Sequence, residues 1–138
     1  MGASSGIGYA IAKRLIEEGW MVGVSARRLE QLETLKQLAP DRVIAQRIDI
    51  TDSEATTPLA QLIDGLGGVD LYFDASGIGK QNPLLDENIE QATLATNVMG
   101  FARMVDSVFN HMAQNNGGHI AVVSSVAGTK GIGSVTSY

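Results

Sequence analysis

Apolar runs of seven to nine residues alternate with helical stretches along the whole of this 138-residue chain. That alternation constrains the fold more than any other feature. The runs are "WMVGVSA" (20–26), "RVIAQRIDI" (42–50), "VDLYFDAS" (69–76) and "GHIAVVSS" (118–125). Between strands, a helix of this length is a crossover, so successive strands lie parallel in one sheet. The segments "YF" and "IAVV" lack polar alternation, as strands covered on both faces do.

The intervening stretches carry helical spacing. Ile7, Ala10, Ile11 and Leu15 share one face of a first helix, with Lys13, Glu17 and Glu18 opposite and Gly19 as its stop. Residues 29–39 place Leu29, Leu32, Leu35 and Leu38 every three positions before Pro40. Residues 52–66 read as a helix interrupted early by Thr56, Thr57 and Pro58, and 86–114 as one long helix. There is no repeat and no linker, so the expectation is one doubly wound α/β domain over 1–138.

Composition narrows the class. The net charge of −5 lacks the basic surface a nucleic-acid partner needs. There are no cysteines for disulfides or thiolate metal sites. His111 and His119 lack ligand-like spacing, so no metal is expected. No run approaches the ~20 apolar residues of a membrane span, and no leader pattern is visible. The expectation is a soluble, cytoplasmic protein with no membrane or nucleic-acid partner.

Ligands of such sheets bind beyond the carboxyl ends of the strands. "MGASSGIG" opens a helix there, with Gly2, Gly6 and Gly8 as the tight-turn positions. Unpaired N–H groups at the helix start suit a pyrophosphate, and glycine lets backbone approach it. Arg27 and Arg28 follow the strand 20–26, where an NAD site carries an acidic residue for the ribose hydroxyl. A guanidinium there suits a 2′-phosphate and favours NADP over NAD, with Arg27 ahead of Arg28. Asp49 ends the next strand, where it can accept from the adenine amino group or fix its own loop. Ser124, Ser125 and Tyr138 lie at the same edge further along.

Taken together, these residues resemble the short-chain dehydrogenase/reductase family. "GASSGIG", "DI" at 49–50, Asn97 in "TNVMG", "VSSVAG" and Tyr138 match its motifs in order and spacing. The resemblance implies a Rossmann-type sheet and an oxidoreductase that moves hydride between nicotinamide and a carbonyl or alcohol carbon. The cofactor set it implies is Gly2, Ser4, Ser5, Gly6, Ile7, Gly8, Arg27, Arg28, Asp49, Ile50, Gly77 and Asn97. Tyr138 would exchange the proton at the substrate oxygen, Ser125 would orient that oxygen, and Asn97 would support a water of the relay. A non-catalytic dinucleotide-binding regulator on the same fold is the alternative.

Three family features differ here. Met1 stands where the glycine motif usually carries Thr. Asp74, Ala75 and Ser76 stand where two asparagines and an alanine are usual. The family's first strand precedes the glycine loop and a lysine follows the tyrosine by four residues. The resemblance therefore implies a Rossmann domain incomplete at both ends, lacking its first strand and C-terminal part, with that strand's place between 20–26 and 69–76. Leu94, Val98, Phe101, Val105, Phe109 and Met112, with Met104 and Val108 beside them, exceed one sheet-packing stripe. Either the helix is simply well buried in its own domain, or it forms the homodimer or homotetramer contact that the resemblance implies.

Overall fold

Every apolar run becomes a strand, shorter than the run that announces it. A computed structural model describes residues 1–135 and 137–138 of the chain. The order is α1 (Gly6–Glu17), β1 (Val22–Ala26), α2 (Leu29–Lys36), β2 (Val43–Arg47), α3 (Thr56–Leu66), β3 (Leu71–Asp74), α4 (Glu87–Leu94), a π-helical turn (Ala95–Gly100), α5 (Phe101–Gln114) and β4 (His119–Val122). A 3-10 turn follows at Val126–Gly128.

β1 runs parallel to β2, from Val22 opposite Val43 to Ala26 opposite Arg47. β3 runs parallel to β4, from Leu71 opposite His119 to Asp74 opposite Val122. Among the described residues, the backbone hydrogen bonds that link the two pairs run through the first residues. The Met1 amino group donates to Phe73 O at 2.7 Å. Ala75 N–H donates to Met1 O at 3.2 Å and Ala3 N–H to Ser25 O at 3.1 Å. Met1 to Ala3 thus stand between β1 and β3, where the family resemblance puts a strand.

Helices cover both faces, as a doubly wound sheet requires. Ala12 and Ile16 of α1 and Leu32 and Leu35 of α2 pack with Val24 and Val43. Leu59, Leu62 and Ile63 of α3 and Met104, Val108 and Met112 of α5 pack with Ile48, Ile50 and Tyr72 in a second cluster.

Several expectations shift. In α1 the buried face is Gly8, Ala12 and Ile16, while Ile7 is 58% exposed. The helix lies so close to the glycine loop that only small residues fit there: a Cβ on Gly8 would collide with Gly2 O. In α2 only Leu32 and Leu35 are fully covered, because a spacing of three drifts around a helix of 3.6 residues per turn. α3 begins at Thr56, four residues after the expected start. Pro58 falls in its first turn, where its missing N–H costs no helix bond. The run 118–125 contributes β4 over 119–122, and its Val122 and Val123 are exposed rather than covered on both faces.

The long helix also differs in detail. Asp86 caps α4 by accepting from Asn88 N–H at 2.9 Å. The π turn then widens the helix before Gly100, where a Cβ would lie 2.8 Å from Ile50 O. Beyond it, the sheet-facing stripe of α5 is Met104, Val108 and Met112. Leu94, Val98, Met99 and Phe109 are exposed, so the helix carries a second apolar face outside its own core.

Candidate active site

The glycine loop is shaped by backbone that only glycine tolerates. Gly2 has φ +74°, and a Cβ there would lie 2.8 Å from Ala75 O and Ser76 N. Gly6 has φ +57° with nothing within 4 Å of the missing Cβ. Gly2 thus seats the loop on the end of β3, and Gly6 keeps the head of α1 bare. Ser5 makes no side-chain cap bond, and the first turn carries no acidic residue. The N–H groups at the start of this 12-residue helix therefore point out with their partial positive charge. This bare, donor-rich head fits the diphosphate of a dinucleotide.

Beside it opens a cleft of about 480 Å³. Gly2, Ser4, Ser5, Arg27, Arg28, Asp49, Ile50 and Gly77 line it together. Gly6, Ile7 and Gly8 form the helix head next to it. Met1, Ala26, Ile48, Ala75, Ser76, Ile78 and Thr96 complete the wall. The sequence argument did not count these among the site residues, although it named Met1, Ala75 and Ser76 as departures from the family pattern and a neighbour of each of the others.

Charge at the β1–β2 end of the cleft is organised by Asp49. Its Oδ1 accepts from Thr51 N–H at 3.1 Å and Thr51 Oγ1 at 2.8 Å. Burial pushes its carboxyl up, but the Thr51 bonds and the charges of Arg27 and Arg47 outweigh that and leave it below the ordinary carboxylate range. Asp49 therefore fixes its own loop. Arg47 Nε donates to Arg27 O at 3.1 Å and holds the residue that follows β1. The Arg27 and Arg28 side chains are exposed at the rim.

At the other end Asn97, in the π turn, uses both its polar atoms on one residue. Its Oδ1 accepts from Ile78 N–H at 2.9 Å and its Nδ2 donates to Ile78 O at 2.7 Å. This clamp fixes the backbone just after Gly77. Next along, the Tyr138 ring lies against Gly79, where an added Cβ would sit 3.0 Å from the ring. Asn82 N–H donates to Ser134 O at 2.6 Å and ties the two loops together. Ser125 Oγ accepts from Ala127 N–H at 3.1 Å and so caps the 3-10 turn. Tyr138 and Asn97 are thus brought to one loop. Among the described residues no hydrogen bond joins Ser125 to Tyr138.

Asp74, the departure from the family pattern, is buried and satisfied as an acceptor. Ser76 N–H donates to its Oδ1 at 2.7 Å and the Tyr72 hydroxyl to its Oδ2 at 3.1 Å. Burial, then the Asp74 charge and this bond, push the Tyr72 phenol well above its ordinary value. An aspartate serves here because its neighbours are donors.

The short chain dehydrogenase family model matches residues 1–138. An uncharacterized oxidoreductase of Mycobacterium tuberculosis is 32% identical over 139 residues, covering 95% of this chain and 55% of that protein. A farnesol dehydrogenase of Aedes aegypti is 36% identical over 138 residues, covering 94% and 56%. The closed form of a serine dehydrogenase complexed with NADP+ superposes with a TM-score of 0.87 at 27% identity, covering 96% of this chain and 55% of that one. With this fold and this cleft, the chain belongs to the short-chain dehydrogenase family. It spans about half the length of the curated relatives it matches.

Proposed function

We propose that residues 1–138 are the cofactor-binding part of an NADP-dependent oxidoreductase acting on a small-molecule carbonyl or alcohol. The observation that carries this reading is the single cleft that gathers the glycine loop, Arg27, Asp49 and Gly77. NADP, when bound, supplies or accepts the hydride. The chain's own residues do the rest. The head of α1 takes the diphosphate through backbone N–H groups. Arg27 takes the 2′-phosphate, with Arg28 as helper; no carboxylate stands at that strand tip to prefer a free hydroxyl, which makes NAD the second choice. A serine dehydrogenase of the same fold complexed with NADP+ supports the same choice.

Asn97 positions the backbone at Ile78 on the nicotinamide side. Ser125 Oγ accepts from Ala127 N–H, which leaves its hydroxyl hydrogen to donate to the substrate oxygen. Tyr138 exchanges the proton at that oxygen. We place the protein in the cytoplasm, assembled as a homodimer or homotetramer through the exposed face of α4 and α5. No described helix is long and apolar enough to cross a membrane.

The test is Tyr138→Phe in an active protein that carries this sequence. Turnover should fall by about 10²–10⁴-fold, the usual contribution of general acid–base catalysis, with cofactor affinity kept. Ser125→Ala should cost less than Tyr138→Phe. Turnover of Tyr138→Phe within threefold of the unaltered protein (roughly 0.6 kcal/mol) would refute the assignment.

A further inference from the structure

The turn that follows β2 is held from a distant part of the chain. Ile48, Asp49 and Ile50 of this turn line the cleft. Among the described residues, most of its hydrogen bonds run to the end of β1 or stay within 49–55. Ile48 N–H donates to Ala26 O and Asp52 N–H to Asp49 O, both at 3.1 Å, and Thr51 bonds the Asp49 carboxylate. One bond comes from elsewhere. Arg103 Nη1, on α5, donates to Ile50 O at 2.8 Å across 53 residues of chain.

The helix is shaped for this contact. Gly100 ends the π turn, and a Cβ there would lie 2.8 Å from both Ile50 O and Ile50 Cγ1. Its bare backbone lets the helix settle onto Ile50, which is buried. Arg103 follows Gly100 by three positions and so stands on the same helix face. It is half-buried, and its guanidinium is a permanent cation. A bond from such a donor is roughly twice as strong as a neutral one. Among the described residues Ile50 O accepts no backbone N–H, so without Arg103 this carbonyl has no protein partner. Of the described residues that line the cleft, Ile50 is one and Arg103 is not. Arg103 therefore acts on the cleft through Ile50.

We propose that Arg103 is a positioning residue of the cofactor site, holding the Asp49–Ile50 turn where the adenosine half of a dinucleotide rests. The inference rests on the reading of the cleft as a dinucleotide site. Asn97, in the same π turn as Gly100, clamps Ile78 on the opposite wall. Gly100 and Arg103 seat Ile50 on this one. One continuous helical stretch thus sets the spacing between the two walls. NADPH and NADH share their adenosine half, so Arg103 serves both equally. Arg27, which meets only the 2′-phosphate, separates them.

The test uses Arg103→Met, which keeps an apolar stem and loses the donor, and Arg103→Lys, which keeps a cation. NADPH, NADH and ADP are titrated into each variant and into the unaltered protein that carries this sequence. Arg103→Met should weaken all three alike, by about five- to tenfold, at or below the worth of one charge-assisted bond. Arg103→Lys should recover most of that loss. Gly100→Ala displaces the same carbonyl, so the double variant should lose less than the two single losses multiplied together. Hydrogen exchange without nucleotide gives an independent reading. The Thr51 and Asp52 amides should exchange at least about tenfold faster in Arg103→Met, while those of β1 and β2 keep their rates. Equal ADP affinity in Arg103→Met and the unaltered protein would overturn the proposal and leave the cleft reading standing. So would a loss of NADPH affinity alone, which is a long-range effect of charge on the 2′-phosphate, or unchanged exchange at Thr51 and Asp52. An unaltered protein that binds none of the three nucleotides would refute the cleft reading itself, and the proposal with it.

Discussion

Asn97 is the point where structure and chemistry can be separated by one substitution. Its side chain makes two bonds to the backbone of Ile78, at 2.9 and 2.7 Å, in a partly buried setting. A net bond is worth about 1 kcal/mol, so Asn97→Ala should cost roughly 2 kcal/mol. For a chain of this size that lowers the melting temperature by about 6–10 °C. Asn97→Asp keeps the acceptor for Ile78 N–H but sets a carboxylate against Ile78 O. That repulsion raises the new group's folded-state pKa above its unfolded value near ~3.9. The folded state then binds the extra proton more tightly, so the deficit of Asn97→Asp should shrink on acidification and grow as pH rises through the folded-state pKa. Asn97→Ala has no such dependence. Thermal melts of the three proteins across pH, with hydrogen exchange at the Ile78 amide, read both effects. Full Ile78 protection in Asn97→Ala, or pH-parallel melts for Asn97→Ala and Asn97→Asp, would refute the clamp.

Two further perturbations bear on the same region. Gly2→Ala meets both a positive φ and backbone at 2.8 Å, whereas Gly6→Ala meets a positive φ in open space; strain alone costs about 1–3 kcal/mol, so denaturant midpoints should fall further for Gly2→Ala, and the reverse order would contradict the loop's seating on β3. Burial pushes the Met1 ammonium down from its ordinary value, partly countered by the Asp74 charge. The unfolded chain then binds more protons between the folded-state pKa and about 8, so stability should rise with pH through that window and level off above it. N-terminal acetylation, which keeps an uncharged N–H for Phe73 O, should flatten the urea-midpoint profile, and an unchanged slope would show that the terminus is not buried in solution.

The alternation of strand and helix, and the clustering of candidate residues at one sheet edge, were legible because both follow from local pattern. Gly2, Arg27 and Asp49 meet in one cleft although separated along the chain, as a parallel topology requires. Side-chain orientation was less legible. Ile7 looked inward by periodicity, yet the approach of α1 to the glycine loop turned Gly8, Ala12 and Ile16 inward. Such proximity is a tertiary fact that helical spacing does not encode. The π turn at Ala95–Gly100 was hidden for a related reason, since it answers the contact of Gly100 with Ile50. Asn82 was not singled out in the sequence, yet it is buried and bonds the Asp86 backbone through both its Oδ1 and Nδ2. Asp74 stands where the family usually has an asparagine, and sequence alone does not show that Tyr72 and Ser76 supply the donors its carboxylate accepts from.

If Arg27 holds the 2′-phosphate in this cleft, it sets the preference between the two cofactors. Titrating NADPH and NADH into the 138-residue chain and into Arg27→Ala reads that preference. A charge-assisted bond to the 2′-phosphate is worth about 1.5–3 kcal/mol, or roughly ten- to a hundredfold in affinity. NADPH should bind at least about tenfold more tightly than NADH, and Arg27→Ala should erase most of that difference by weakening NADPH alone. Equal affinities in the unaltered chain, or a substitution that weakens both cofactors alike, would contradict it.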